Sequence, residues 1–101
     1  MSLTLFCNSQ TVSADIVAQR IAQKMKDSLL LSEDQKTQIY NINLNLNNHK
    51  MLVRQQQISS DSLRLKIQQV ENTRDSLYRP ILTEQQFLLY REKKKSLINN
   101  N

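Results

Sequence analysis

Apolar residues recur along this chain about once per helical turn, first between Ile16 and Leu31. This spacing predicts an amphipathic helix, with Ser13 or Asp15 near its N-terminal cap. The apolar face of this helix consists of Ile16, Val17, Ile21, Met25 and Leu29.

A second, longer helix is predicted from Glu33 to about Gln57, because Ser32 can cap it and an apolar-periodic run follows. Inside it, residues 41–47 alternate asparagine with Ile or Leu, which is typical of a strand, and asparagine is a poor helix former. We still predict a helix here, because helical patterns flank the segment and the sequence offers no partner strand.

Two more helices follow. The polar segment 58–61 is short enough to join the second helix to a third in a long central helical hairpin. The third helix is predicted from Ser62 to about Arg79 and ends at Pro80, which supplies no backbone N–H. Its face comprises Leu63, Ile67, Val70 and Leu77, with Arg74 in the one missing place. A fourth helix starts at Glu84 and carries Phe87, Leu88, Tyr90, Arg91 and Leu97.

The second helix has two apolar stripes, separated by more than about 120° around its axis. The first stripe contains Ile39, Ile42, Leu46, His49 and Val53. The second contains Tyr40, Leu44, Met51 and Ile58. One stripe can pack against the third helix, and the other must meet the first helix, a second copy or a binding partner. Because a long hairpin is only one layer thick, we expect an isologous homodimer.

Composition favours an all-α fold of four helices. The 101 residues include no glycine and one proline, whereas β-hairpins and βα turns need residues that tolerate positive φ. The formal net charge is +5, from 14 basic and 9 acidic residues, which favours encounters with acidic partners. No stretch approaches the roughly 18 apolar residues that a membrane span needs.

Two pentads, 51 positions apart, carry the same helix-starting chemistry: Leu31-Ser32-Glu33-Asp34-Gln35 and Leu82-Thr83-Glu84-Gln85-Gln86. In each, the hydroxyl residue can cap a helix and the glutamine three residues later can reach back to the cap, which makes a capping box. In the second pentad, Leu82 and Phe87 complete a hydrophobic staple, whereas Lys36 occupies the place of Phe87 in the first.

With leucine in front and glutamine at the third helical position, these pentads make the sequence resemble the Spy/CpxP-type LTxxQ family of small periplasmic proteins. The second pentad fits the motif fully, and the first has Ser32 in place of threonine. The resemblance covers roughly residues 29–95 and implies a thin, curved, all-helical dimer. The motif residues are interpreted as structural, holding helix starts in place: Leu31, Ser32, Gln35, Leu82, Thr83 and Gln86.

The first fourteen residues differ from the rest. Residues 3–7 are apolar, and Val12-Ser13-Ala14 has the small-x-small form of a signal-peptidase site. We interpret residues 1–14 as a signal-peptide remnant or a disordered leader, residues 15–98 as a single all-α domain, and residues 99–101 as a disordered tail. Together with the resemblance, this favours export to the periplasm.

The sequence shows no catalytic constellation, so we expect no enzymatic activity. His49 lies on an apolar stripe and is predicted to be a packed, hydrogen-bonded core residue. Cys7 lies in the leader, so a Cys–His pair is not expected. A single histidine argues against a metal site, the lack of glycine against a nucleotide cofactor, and the lack of a recognition motif against nucleic acid. Glu71 and Asp75 are expected to bond Arg74 and Arg79.

The basic residues of the second and third helices suggest a binding surface. We predict that Lys50, Arg54, Arg64 and Lys66 attract a client polypeptide and that Met51 and Ile58 contact it. An ordinary solvated face is the alternative interpretation of these cations. The resemblance implies an ATP-independent chaperone for unfolded or misfolded envelope proteins. The alternative function is a periplasmic regulatory adaptor that docks on one specific partner, such as a sensor-kinase domain.

Overall fold

A computed structural model describes residues 13–99 of the chain, and this part is entirely helical apart from its turns, as the sequence predicted. Its elements are α1 (Ala14–Leu29), α2 (Glu33–Arg54), α3 (Ser60–Asn72), α4 (Arg74–Tyr78), α5 (Glu84–Lys94) and a π-helical turn (Lys95–Asn99). The interpretation of residues 1–12 as a leader, and of Asn100 and Asn101 as part of a tail, concerns positions outside the described residues.

The first helix begins where the predicted leader was expected to end. The side chain of Ser13 accepts a hydrogen bond from the backbone N–H of Ile16 at 3.2 Å, which makes Ser13 the N-cap of α1. At the other end, Leu30 takes the left-handed conformation, with φ of 57°. This conformation costs about 1–2 kcal/mol for a residue with a Cβ, and no glycine is present to lower that cost.

The asparagine-rich segment of α2 is helical, as predicted, because its amides are used in packing. Asn43 is fully buried, and its Nδ2 donates to the backbone oxygen of Ala18 at 3.2 Å. Asn47, one turn later, donates to the oxygen of Ala14 at 3.3 Å. Ala18 and Ala22 are themselves fully buried, and their small side chains allow α1 and α2 to lie close together.

The main core joins α1, the first half of α2, α4, α5 and the π-helical turn. Its buried members are Ile21, Ala22, Met25, Leu29, Leu31, Ile39, Tyr78, Leu82, Phe87, Tyr90, Leu97 and Ile98. The rings of Tyr78 and Tyr90 meet edge to face with centroids 5.1 Å apart, a favourable aromatic geometry. Tyr78, and not Leu77 as predicted, is the buried residue at this point, and Leu77 is exposed.

A second, smaller cluster joins the remaining half of α2 to α3. It contains Leu46, Val53 and Val70, with Ile42, Leu63 and Ile67 packed against it. The predicted third helix is interrupted at Thr73, which separates α3 from α4 and whose hydroxyl donates to the oxygen of Val70 at 2.7 Å. The molecule measures 47 × 34 × 19 Å, so its thin dimension is about two helix diameters.

Both predicted capping boxes are formed. Ser32 Oγ accepts from the N–H of Gln35 at 3.1 Å, and Gln35 Oε1 accepts from the N–H of Ser32 at 2.9 Å. The second box repeats this geometry with Thr83 and Gln86, at 3.1 and 3.0 Å. The cap and dipole chemistry of both pentads therefore sets the starts of α2 and α5.

The two glutamines of the capping boxes also bond each other, which the sequence did not predict. Gln35 Nε2 donates to Gln86 Oε1 at 2.7 Å and to the backbone oxygen of Ile81 at 3.0 Å. In return, Gln86 Nε2 donates to the backbone oxygen of Leu29 at 3.3 Å. Each amide therefore caps its own helix and binds the chain that leads into the other helix. We call this pair the glutamine clasp.

We predict that Gln35→Ala lowers the free energy of unfolding by about 1–3 kcal/mol, because it removes a cap and leaves partners in the clasp unsatisfied. Urea denaturation measures this, and Gln85→Ala, at an exposed neighbouring position, should change it by less than about 0.5 kcal/mol. The double variant Gln35→Ala, Gln86→Ala should be less destabilised than the sum of the single variants. Strict additivity would contradict the clasp.

Candidate client-binding surface

The structure does not bring the six predicted client-binding residues together. The side chain of Lys50 is only 16% exposed, and its Nζ lies 2.5 Å from Glu71 Oε1, so Lys50 is a structural ion-pair residue. Arg64 pairs with Asp61 at 2.6 Å on the surface of α3. Ile58 is half-buried in the connection between α2 and α3. Arg54, Met51 and Lys66 are exposed.

Lys50 belongs to a polar network that ties α3 and α4 to α2. Glu71 accepts hydrogen bonds from Lys50 and from Arg74, whose side chain is 1% exposed. Arg74 Nη1 donates to Tyr78 Oη at 2.7 Å and to Asn43 Oδ1 at 3.1 Å. Tyr78 in turn donates to Asn43. A buried guanidinium is tolerated here because the network pairs its charge and occupies its donors.

The pKa values within this network follow from burial and ion pairing. Burial alone would raise the pKa of Glu71, but hydrogen bonds from Arg74 and Lys50 outweigh it and hold the pKa below its ordinary value of 4.5. Burial likewise opposes the charge of Arg74, yet its bond to Glu71 raises the pKa of the guanidinium. Burial raises the pKa of Tyr78 to about 12, so its hydroxyl remains protonated at neutral pH.

Of the two predicted carboxylate pairings, that of Glu71 with Arg74 is confirmed and that of Asp75 with Arg79 is wrong. Glu71 bonds Arg74, as expected. The carboxylate of Asp75 does not pair with the guanidinium of Arg79, and instead accepts from Tyr90 Oη at 2.7 Å and from Lys94 Nζ at 3.0 Å. The guanidinium of Arg79 lies over the ring of Phe87, 4.4 Å from its centroid. Asp75 therefore links α4 to α5, which a local pairing could not do.

His49 is exposed, so the prediction that it packs in the core is wrong. The smaller cluster reaches Leu46 and Val53 on α2, but between these positions α3 does not cover the imidazole. His49 instead lines a groove of about 310 Å³ between α2 and α3. The other lining residues are Val53, Gln56, Lys66, Gln69, Val70 and Thr73.

The groove has an apolar floor and a polar, cationic rim. Val53 and Val70, both buried, form its floor. On the rim, Lys66 Nζ donates to Gln56 Oε1 at 3.3 Å, a neutral partner that leaves the charge of Lys66 uncompensated. None of the residues lining the groove is acidic. Within residues 13–99, Lys66 forms no ion pair.

Two exposed leucines lie beside this groove. Leu52 lies one helical turn from His49, and Leu65 lies one turn from Gln69, so each leucine neighbours a groove-lining residue along its helix. Leu52 is 62% exposed and Leu65 is 65% exposed. The groove side is therefore defined by the groove-lining residues together with Leu52 and Leu65. Sequence reasoning missed both leucines, because neither falls on the stripes that pack inside the fold.

Four of the six predicted residues lie on the opposite side of the α2–α3 pair. Arg54 is four residues from Lys50, and Arg64 is seven residues from Glu71, so both follow the ion-paired side of their helices. Met51, 46% exposed, neighbours Arg54 at a spacing of three. Only Lys66 belongs to the groove side. The predicted set therefore combines residues from two faces of the α2–α3 pair.

Comparisons with known proteins add no relative, since no family model, no curated protein and no solved structure matches this chain. Among residues 13–99, no helix combines the length and the apolar character that crossing a membrane requires.

We predict that Glu71→Gln lowers the free energy of unfolding at pH 7 by about 2–4 kcal/mol, because it leaves buried Arg74 without its counter-charge. A carboxylate with a lowered pKa stabilises the fold above its unfolded value of 4.5, and this contribution is lost as the pH falls through the folded value. As the pH is lowered from 5, the free energy of unfolding should therefore fall less in Glu71→Gln than in the wild type.

Urea denaturation across this pH range measures both effects. Glu92→Gln, at an exposed position on α5, is the matched control and should leave the stability within about 0.5 kcal/mol of the wild type. An acid-induced loss of equal size in the wild type and in Glu71→Gln would contradict the assigned role of Glu71.

Proposed function

We propose that this protein is a non-enzymatic periplasmic chaperone of the Spy/CpxP type, which binds unfolded or misfolded polypeptides without ATP. The groove side carries this proposal, since Leu52 and Leu65 are exposed on either side of a groove whose lining contains no carboxylate. Exposed leucines beside uncompensated positive charge suit a partner that presents apolar and acidic side chains together. The resemblance of the two pentads to the LTxxQ motif supports the same assignment.

The proposed mechanism is weak, reversible capture. Positive charge around Lys66 and Arg54 raises the rate of encounter with acidic polypeptides, and the leucines then hold the bound segment. Covering what remains exposed of Leu52 and Leu65 contributes about 2–4 kcal/mol, before the entropy of ordering the client is subtracted. Such a small gain suits a chaperone that must release its client without a nucleotide-driven step.

We propose further that α2 and α3 act as a helical hairpin and that the functional unit is a homodimer. Two exposed leucines away from the groove support this proposal: Leu30, 83% exposed at the α1–α2 corner, and Leu88, 63% exposed on α5. A body 19 Å thick, about two helix diameters, has no further layer to cover side chains that face outward. An isologous interface would cover them with the same surface of another copy.

We expect the purified protein to suppress aggregation of several unrelated unfolded proteins at near-stoichiometric ratios, measured by light scattering. The variant Arg54→Gln, Arg64→Gln, Lys66→Gln should suppress aggregation less well and with a weaker dependence on salt. The control Arg20→Gln, Lys93→Gln, Lys95→Gln removes the same charge from exposed positions elsewhere and should behave like the wild type. Failure across the whole panel, with tight binding to one envelope protein, would favour the regulatory adaptor instead.

For the dimer, we expect sedimentation equilibrium to give the mass of two chains. Leu88→Gln should shift the protein toward the monomer, because it replaces an exposed apolar contact without opening the core. Leu52→Gln, on the groove side, should leave the mass unchanged. A single-chain mass at all concentrations would reject the homodimer.

A further inference from the structure

We propose that the α2–α3 groove is a docking site for one turn-spaced face of an amphipathic helix whose flank is acidic. This inference rests on the proposed function and specifies which part of a client the protein holds. The ligand class is a polypeptide segment with apolar side chains about one turn apart and glutamate or aspartate beside them. Three observations lead to it: the length of the groove, its floor and rim, and its charge.

The length of the groove matches two turns of a helix. Its lining extends from His49 on α2 to Gln56, two residues past the end of that helix, and from Lys66 on α3 to Thr73, the C-cap of α3. Seven residues of helix correspond to roughly 10 Å, or two turns. A bound helix would place side chains at positions i, i+3 or i+4, and i+7 along this distance, as helices do when they lie in a groove between two others.

The floor and the rim offer matching chemistry for such a helix. The valines of the floor, Val53 and Val70, accept apolar side chains of the bound segment. Leu52 and Leu65, outside the rim, extend the apolar contact on both flanks. The amides of Gln56 and Gln69 on the rim donate and accept hydrogen bonds, so they suit polar side chains of varied sequence.

Charge selects the occupant. Lys66 has only a neutral amide as its partner, His49 lies across the groove, and no lining residue is acidic. A bound carboxylate near Lys66 would gain a charge-assisted contact. A second copy of this chain fits poorly, because a two-fold interface through this groove would bring Lys66 near its own counterpart, in a chain of net charge +5. The groove therefore favours an acidic client over self-association.

The test uses two synthetic fluorescent 18-residue helical peptides with the same leucine positions, one with glutamate on its flank and one with lysine. In fluorescence anisotropy with the whole protein, the glutamate peptide should bind and the lysine peptide should bind at least about tenfold more weakly. Lys66→Glu should weaken binding of the glutamate peptide about tenfold and strengthen binding of the lysine peptide. Lys93→Glu makes the same charge change at an exposed position on α5, outside the groove, and should alter both affinities less than threefold at physiological salt.

Two results would overturn the docking site: equal affinity for both peptides, or equal effects of Lys66→Glu and Lys93→Glu. Circular dichroism of each variant shows that the helices remain folded, so that a loss of binding reports the groove. A wild-type protein that suppresses aggregation while Lys66→Glu leaves peptide binding unchanged would reject the groove and retain the chaperone. Selective binding of the glutamate peptide without suppression of aggregation would retain the groove as a docking site and reject the chaperone function. A change in sedimenting mass on Lys66→Glu, with peptide affinities unchanged, would assign the groove to a second copy and reject the proposal.

Discussion

Two glutamine side chains hold the corners of this small fold together. Gln35 and Gln86 each complete a capping box, and each donates to the chain segment that precedes the other box. The same amides therefore satisfy helix termini and join the α1–α2 corner to the loop before α5. With Leu31, Leu82 and Phe87 buried beside them, two otherwise local motifs become one long-range contact. In a domain of this size a few such contacts are a large fraction of the net stability.

The attachment of α3 and α4 to α2 depends on charge. Arg74 is buried because Glu71, Asn43 and Tyr78 surround its guanidinium, and Lys50 completes the network from α2. Without the smaller apolar cluster, α3 would still be attached to α2 by these polar bonds. Without the polar bonds, the buried guanidinium of Arg74 would be left unpaired. The groove proposed as a docking site lies on the other side of the same two helices, so its shape is a consequence of this network.

How far the sequence predicts this structure depends on the range of each interaction. The cap at Ser32 was predictable because all its partners lie within three residues. The contact between the capping box at Ser32 and the one at Thr83 was not predictable, because it depends on the path of the chain between them. His49 fits an apolar stripe by spacing, yet α3 leaves it uncovered. By residue type Asn43 is a weak helix former, although its burial against Ala18 makes it a packing residue. Arg74 on an apolar face, with Glu71 three residues away, is the signal of the network that the sequence carries.

Buried ionic groups also restrict sliding. Moving α3 and α4 by one turn along α2 would separate Lys50 from Glu71 and Asn43 from the guanidinium of Arg74, so neighbouring registers are strongly disfavoured. The distance between the two helices is thereby set before any ligand arrives. The conformational entropy lost on binding is then mainly that of the bound segment. The groove keeps the same width for bound segments of different sequence.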